Sequence, residues 1–160
     1  HNVKKYFEIV DELKSQRPDI ALSSDFIVGF PGEEDKDFDQ TMHFIDQVNF
    51  VIAYSFMYSP RPGTPAASLK QINLDVRKAR LNALQTLLKK QQKSFNKSFI
   101  NRKIEVLFDR KGKHNNQYIG RSIYNQSVFI ESHTNLIGSI KKVRIKKSTD
   151  FALEATLSEQ

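Results

Sequence analysis

Apolar residues recur at steps of three and four along the first stretch of the chain: Val3, Tyr6, Phe7, Val10 and Leu13, with Lys and Glu between them. This spacing predicts a helix over residues 2–16. Arg17-Pro18-Asp19 ends it, because the residue before a proline avoids the α region. Ile20 to Phe30 then reads as a strand, and the near-continuous apolar run Phe26-Ile27-Val28 suits a parallel strand covered on both faces. The helical period returns over 34–48, where Phe38, Met42, Ile45 and Val48 form a buried stripe. Asn49-Phe50 turns the chain into a second strand, Val51 to Tyr58. A helix-linked pair of strands of this length predicts a βαβ unit with parallel strands. Asn73 caps a long helix from about 74 to 97, whose apolar face is Leu74, Leu81, Leu84, Leu88 and Phe95 or Phe99. A helix this long, ending in lysines, is expected to bridge two domains.

After residue 100 the pattern changes. Ile104 to Phe108, Tyr118 to Ser122, Val128 to Glu131, Gly138 to Lys146 and Phe151 to Leu157 are short strands, and Lys111 to Asn116 is a polar turn. Five strands with turn signals every 8–12 residues or so predict a small all-β barrel. The fold class is therefore α/β followed by all-β, with domains at 1–96 and 97–159.

Composition narrows the chemistry. The 160 residues contain no cysteine, which excludes disulfides, thiolate zinc sites and cysteine-ligated clusters within this chain. The four histidines show no metal-ligand spacing, so no metal site is expected. The acids at 33, 34, 35, 37 and 39 crowd a helix start, where the helix dipole favours them. No stretch approaches the ~18–20 apolar residues of a membrane span, and residues 1–16 are charged throughout, unlike a signal peptide. A cytoplasmic location is expected. The net charge of +7 is uneven. Residues 100–147 hold 11 Lys or Arg against 3 acids, whereas residues 1–99 hold 14 against 12. That excess predicts a polyanion partner for the second domain.

Two loops stand out as candidate sites. Ser24-Asp25-Phe26-Ile27-Val28-Gly29-Phe30-Pro31-Gly32-Glu33 carries a strand into a glycine-bearing turn and then an acidic helix start. Strand ends of this kind place backbone beside ligands in α/β proteins. Tyr58-Ser59-Pro60-Arg61-Pro62-Gly63-Thr64-Pro65-Ala66 follows the second strand, with its prolines expected to hold 59–66 extended and rigid. Arg61 is placed to grip a carboxylate or a phosphate in bidentate fashion, or else to pair with the acids at 33–35.

These two loops resemble the fifth-strand motif and the sixth-strand loop of the radical S-adenosylmethionine methylthiotransferases. Residues 97–159, with Gly120-Arg121-Ser122, Asn125 and Val128, resemble the small RNA-binding barrel called TRAM. The features occur in the family's order and spacing, and within the family the tRNA 2-methylthioadenosine synthases (MiaB-type) are most similar. The resemblance implies the C-terminal part of a partial (β/α)6 radical barrel followed by a five-stranded, OB-like TRAM barrel. It implies S-adenosylmethionine and two 4Fe-4S clusters in the full-length enzyme. One cluster cleaves S-adenosylmethionine to a radical and the other supplies sulfur, so that a methylthio group reaches a prenylated adenosine beside the anticodon. The cysteines that hold both clusters are absent, so the chain reads as a C-terminal fragment, inactive alone, whose partners are its missing N-terminal part and a tRNA anticodon loop rather than DNA or a membrane. Two other readings stand beside it: a non-catalytic RNA-binding module, and a methylthiotransferase acting on a ribosomal-protein aspartate or on threonylcarbamoyl-adenosine.

The resemblance also assigns roles. Ile27 and Val28 offer apolar contact to the cofactor's adenine, one of the two facing inward, Gly29 lets the backbone approach closely, and Arg61 is the candidate to grip the cofactor's methionine carboxylate. Asp25 and Glu33 depart from the common Gly-x-Ile-x-Gly-x-x-Glu pattern, Glu33 falling one residue late. No residue is assigned to catalysis. For RNA, Lys111, Lys113, Arg121, Asn125, Lys141, Lys142, Arg144, Lys146 and Lys147 supply a polar and basic surface, with Arg61 as a further phosphate ligand. Tyr118 and Tyr124 are candidates to stack on unpaired bases, and Phe129 is placed in the barrel core.

Overall fold

The computed structural model describes residues 2–158. The chain divides into two compact units, His1–Gln92 and Lys93–Gln160. The first contains α1 (Val3–Gln16), β1 (Ser23–Val28), α2 (Asp35–Val48), β2 (Ile52–Met57), a 3-10 turn (Pro65–Ser68) and most of α3 (Leu74–Lys97).

Asn2 starts α1, its side chain accepting the Lys5 amide at 2.8 Å. Asn49, in the left-handed region at φ 59, ends α2. β1 and β2 pair in parallel, with Asp25 opposite Tyr54 and Ile27 opposite Phe56. Val28 and Phe26 face a core built from Val10, Ile45, Val48, Phe50, Leu84 and Leu88, contributed by all three helices. The other face differs from the expectation of a doubly covered strand. Ile27 is 60% exposed, and its neighbours Tyr54 and Phe56 are exposed with it. The ladder is also shorter than Ile20–Phe30, because Gly29 leaves the extended region at φ +73. The proline loop is not extended throughout. Arg61 to Thr64 closes a turn, the Thr64 amide reaching the Arg61 carbonyl at 3.2 Å, and Pro65 opens the 3-10 turn. Pro65 fits there because its missing N–H is one that a helical start leaves unpaired anyway. Among the described residues this unit builds two parallel strands and their helices. The larger barrel implied by the resemblance is not contained in them.

The second unit is a closed barrel of β3 (Lys103–Lys111), β4 (Gln117–Ser122), β5 (Ser127–Glu131), β6 (Ile140–Ser148) and β7 (Leu153–Leu157), in the order β3-β4-β5-β7-β6. All neighbours are antiparallel except β5 and β7. Val106, Phe108, Tyr118, Val128, Ile130, Val143, Ile145, Leu153 and Ala155 fill it, with Phe99 and Leu136 at the core's margin. Closure leaves no free sheet edge, which removes a route to aggregation. A buried network joins the helix end to the β4–β5 turn. Ser122 Oγ donates to Gln126 Oε1 at 3.0 Å, and Gln126 Nε2 donates to Asn96 Oδ1 at 2.9 Å.

Candidate functional site

The chain offers two candidate sites, one in each unit. The first lies where β1 and β2 end. Phe30-Pro31-Gly32-Glu33 forms a turn closed by the Glu33 amide on the Phe30 carbonyl at 2.9 Å, with Gly32 at φ +90. Proline second and a left-handed glycine third is the signature of a type II turn. The turn brings the Glu33 carboxylate back over the strand end, where both of its oxygens accept the Gly29 N–H at 3.0 Å.

Two arginines of α3 lock this arrangement, and sequence reasoning named neither. Arg80 Nη1 donates to Glu33 Oε1 at 2.7 Å and to the Glu33 carbonyl at 3.1 Å, while Nη2 donates to Asp35 Oδ1 at 2.7 Å. The side chains of Arg80 and Glu33 are 8% and 14% exposed, and the guanidinium also lies over the Phe38 ring. Burial works to lower the Arg80 pKa, but the hydrogen bonds and charges of Asp35 and Glu33 outweigh it and hold the pKa above its ordinary value. Arg77 Nη1 donates to the Tyr58 carbonyl at the end of β2, at 3.0 Å. Its stem occupies the space beside Gly29, where a Cβ would run into Arg77 Cγ and lie 2.8 Å from Cδ. The need for glycine at 29 thus has a reason within the chain, a positive φ and a packed arginine stem.

The sequence-predicted residues fall as follows. Ile27 faces the open side of the sheet, Val28 is in the core at 1% exposure, and Gly29 is buried at the strand end. Arg61 is exposed. The acids offered as its surface partners are engaged elsewhere, Glu33 and Asp35 by Arg80 and Glu34 by Lys36. A cleft of about 540 Å³ lies beside the turn, lined by Pro31 to Glu34 and Leu69 to Asn73; Ile27, Val28, Gly29 and Arg61 are not among its walls. No group of three or more His, Cys, Asp or Glu among the described residues is arranged to hold a metal ion.

The second site is the outer surface of the barrel. Lys111, Lys113, Arg121, Asn125, Lys141, Lys142, Arg144, Lys146 and Lys147 are all exposed. Arg121 Nη1 donates to the Asn125 carbonyl at 3.2 Å, so the guanidinium also braces the β4–β5 turn, whose Asn125 sits at φ 59. Arg144 Nη1 similarly reaches the Asn101 carbonyl at 3.1 Å.

The aromatic assignments change. Tyr118 is 7% exposed and belongs to the core, so it is not a stacking platform. Tyr124 is half-buried, packed edgewise against Phe95 at 5.7 Å and tilted against Phe99 at 5.4 Å between centroids. Phe129, expected in the core, is half-buried between two fully buried neighbours, Val128 and Ile130. It shares the opposite face with Ile119, its register partner. The reason is parity: Gly120 pairs with Val128 and Tyr118 with Ile130, so these four point inward and Ile119 and Phe129 outward.

Among the described residues, no helix is long and apolar enough to cross a membrane. Residues 97–158 match the TRAM domain family. The chain is 47% identical over 154 residues to the tRNA-2-methylthio-N(6)-dimethylallyladenosine synthase of Neorickettsia sennetsu, covering 96% of this chain and 32% of that protein. It is 45% identical over 159 residues to the same-named protein of Maricaulis maris, covering 99% of this chain and 35% of that one. A Wolbachia relative of the same name is 53% identical over 133 residues, covering 82% of this chain and 30% of its own length. The chain thus spans about a third of the length of the curated relatives it matches. Together with the closed basic barrel and the glycine-turn strand end, these matches make the chain similar, over nearly all of its own length, to about a third of the length of the tRNA-2-methylthio-N(6)-dimethylallyladenosine synthases, with the TRAM match at residues 97–158.

Proposed function

We propose that this chain is the C-terminal, RNA-docking part of a tRNA methylthiotransferase whose target is a prenylated adenosine beside the anticodon. The observation that carries the reading is the pairing of a match over 96% of the chain with a barrel whose exposed surface is lysine-rich. In this reading the barrel holds the anticodon arm by its phosphates, and the strand-end loops of the α/β unit flank the cofactor.

The residues fit the implied groups unequally. With no cysteine, the chain has nothing to ligate an iron–sulfur cluster, so both clusters belong to residues outside it. S-adenosylmethionine fits better. Exposed Ile27, beside Phe56 and Tyr54, offers an apolar wall for an adenine, and Arg61 on its turn offers a bidentate partner for a carboxylate. When bound, that cofactor supplies the methyl group and the activating chemistry; this chain's part is to shape its pocket.

The first test is RNA binding. The full chain should bind tRNA with an affinity that falls steeply with salt. With about five phosphates neutralised, a slope near −0.7 per contact gives roughly a 100-fold loss between about 50 and 200 mM. Salt-independent binding, or none, rejects the reading. For the cofactor side, Arg61→Ala in the full-length enzyme should raise the S-adenosylmethionine concentration needed for half-maximal rate by ~10–100-fold, the worth of a charge-assisted hydrogen bond, and leave tRNA affinity unchanged. A change in tRNA affinity alone would move Arg61 to the RNA side.

A further inference from the structure

The basic residues of the barrel are not equivalent. Where β3 and β6 run together, Lys103 pairs with Arg144, Glu105 with Lys142, Val106 with Lys141 and Leu107 with Ile140. This ladder carries four bases and one acid, and no ion pair among the described residues engages Lys103, Lys141 or Lys142. Beside it lies a cleft of about 640 Å³ whose walls include Lys103, Lys141 and Lys142 and whose apolar lining is Leu136, Ile140 and Leu157. Leu136 is buried, but Ile140 is 64% exposed and Leu157 is also open. Ser158 fixes the rim, its amide and hydroxyl both reaching the Lys142 carbonyl at 3.1 Å. Lysines alone would be served by water. A large exposed isoleucine among bases that outnumber their one acid is the combination that a phosphate chain carrying an unpaired base satisfies, with charge outside and an apolar face within.

We infer that the β3–β6 cleft is the barrel's seat for single-stranded RNA, one unpaired nucleoside lying against Ile140 and Leu157 and its flanking phosphates on Lys103, Lys141 and Lys142. The inference rests on the RNA-binding reading above and sharpens it. Lys111 stands at the opposite end of β3, on the order of 25 Å along the strand from Lys103 at ~3.3 Å per residue. Lys111 and Lys113 therefore meet a different part of the bound RNA. Lys103 and Ile140, which composition alone did not single out, become recognition residues.

The test measures binding of the full chain to two RNA hairpins, one with a seven-nucleotide unpaired loop and one closed by the shortest stable loop, across a salt series. Lys103→Gln and Lys142→Gln should each reduce the salt slope by ~0.7. Ile140→Ser should weaken the looped hairpin by about 3–10-fold, in line with the loss of part of a base contact, leave the salt slope unchanged and leave the short-looped hairpin unaffected. Lys4→Gln, on α1, should do nothing. All three side chains are exposed, so the variants should fold, and their thermal melts check that. If the chain binds RNA but the cleft variants bind like the parent, or if Ile140→Ser weakens both hairpins equally, the cleft is not the seat and the broader reading survives. If a glutamate-rich peptide binds the cleft more tightly than either hairpin, the occupant is a protein and the inference falls. If the chain binds no RNA, both fall together.

Discussion

Arg80→Met should destabilise the α/β unit by about 3–5 kcal/mol, the cost of stripping one partner from a buried ion pair. The Glu33 carboxylate would keep only the Gly29 amide as a partner while staying largely buried. The exposed bond to Asp35 contributes little, since surface pairs are worth ~0–1 kcal/mol and the Asp35 side chain is 93% exposed. Arg80→Lys should fall between, because an ammonium cannot reach the Glu33 carboxylate, the Glu33 carbonyl and Asp35 with one rigid fork. Arg80→Met combined with Glu33→Gln should recover part of the loss, as the amide carbonyl still accepts the Gly29 N–H and the only charge left without Arg80 is the solvent-exposed Asp35. Urea unfolding, with amide exchange read at β1 and α2, checks each step. A single variant as stable as the parent would reject the clamp. The pH dependence follows from the raised Arg80 pKa. A cation whose pKa is raised on folding contributes its full stability below its unfolded pKa and loses it only as pH rises through the folded value. For an arginine that window lies beyond neutral conditions, so Arg80's contribution should stay flat through them.

The same clamp shows where sequence stops being legible. The helices follow from a period of 3.6, the parallel pair and the five barrel strands from short apolar stretches between turn signals, and the turn at 30–33 from Pro31 and Gly32. What could not be read was which long-range partners the polar positions choose. Arg80 and Glu33 are 47 residues apart, and an arginine on a helix normally reads as solvated. One signal existed. Arg80, Leu84, Leu88 and Gln91 fall on one stripe of α3, and the structure buries all four, so polar residues begin and end an otherwise apolar row. Gln91 Nε2 indeed donates to the Ile45 carbonyl at 2.9 Å. Strand parity was the second gap. In β6 the alternation of Val143 and Ile145 with Lys142, Arg144 and Lys146 is plain, and those residues point as the period predicts. Val128-Phe129-Ile130 and Tyr118-Ile119 are unbroken apolar runs with no period to read. Their phase is set only when the barrel closes, which is why Tyr118 and Phe129 exchanged places.

Gly120→Ala is expected to be the most damaging single methyl in the barrel. Gly120 is buried in β4, between Phe108 on β3 and Val128 on β5. A Cβ there would meet the Leu107 carbonyl oxygen and lie 2.7 Å from Val106 Cγ1 and 2.9 Å from the Leu107 carbonyl carbon. Side chains can rotate away, but Leu107 backbone cannot, because β3 is held on its other side by β6, with Leu107 opposite Ile140. Overpacking costs about 1–3 kcal/mol, and more when backbone must move. For a unit of this size, a loss at the upper end lowers Tm by roughly 10 °C or more. Gly138→Ala separates sterics from backbone conformation. Gly138 sits at φ +79, and a Cβ there would meet no atom within 4 Å, so only the left-handed penalty of about 1–2 kcal/mol applies. Thermal melts should therefore rank Gly120→Ala below Gly138→Ala, and amide exchange should quicken first at Val106 and Val128. RNA affinity should fall with Gly120→Ala even below its melting point, since a shift in β3 displaces Lys103 and the cleft wall while leaving every lysine present. A Gly120→Ala protein with unchanged Tm would show that the barrel can open between β3 and β4 without cost, and the fixed spacing on which the lysine seat depends would go with it.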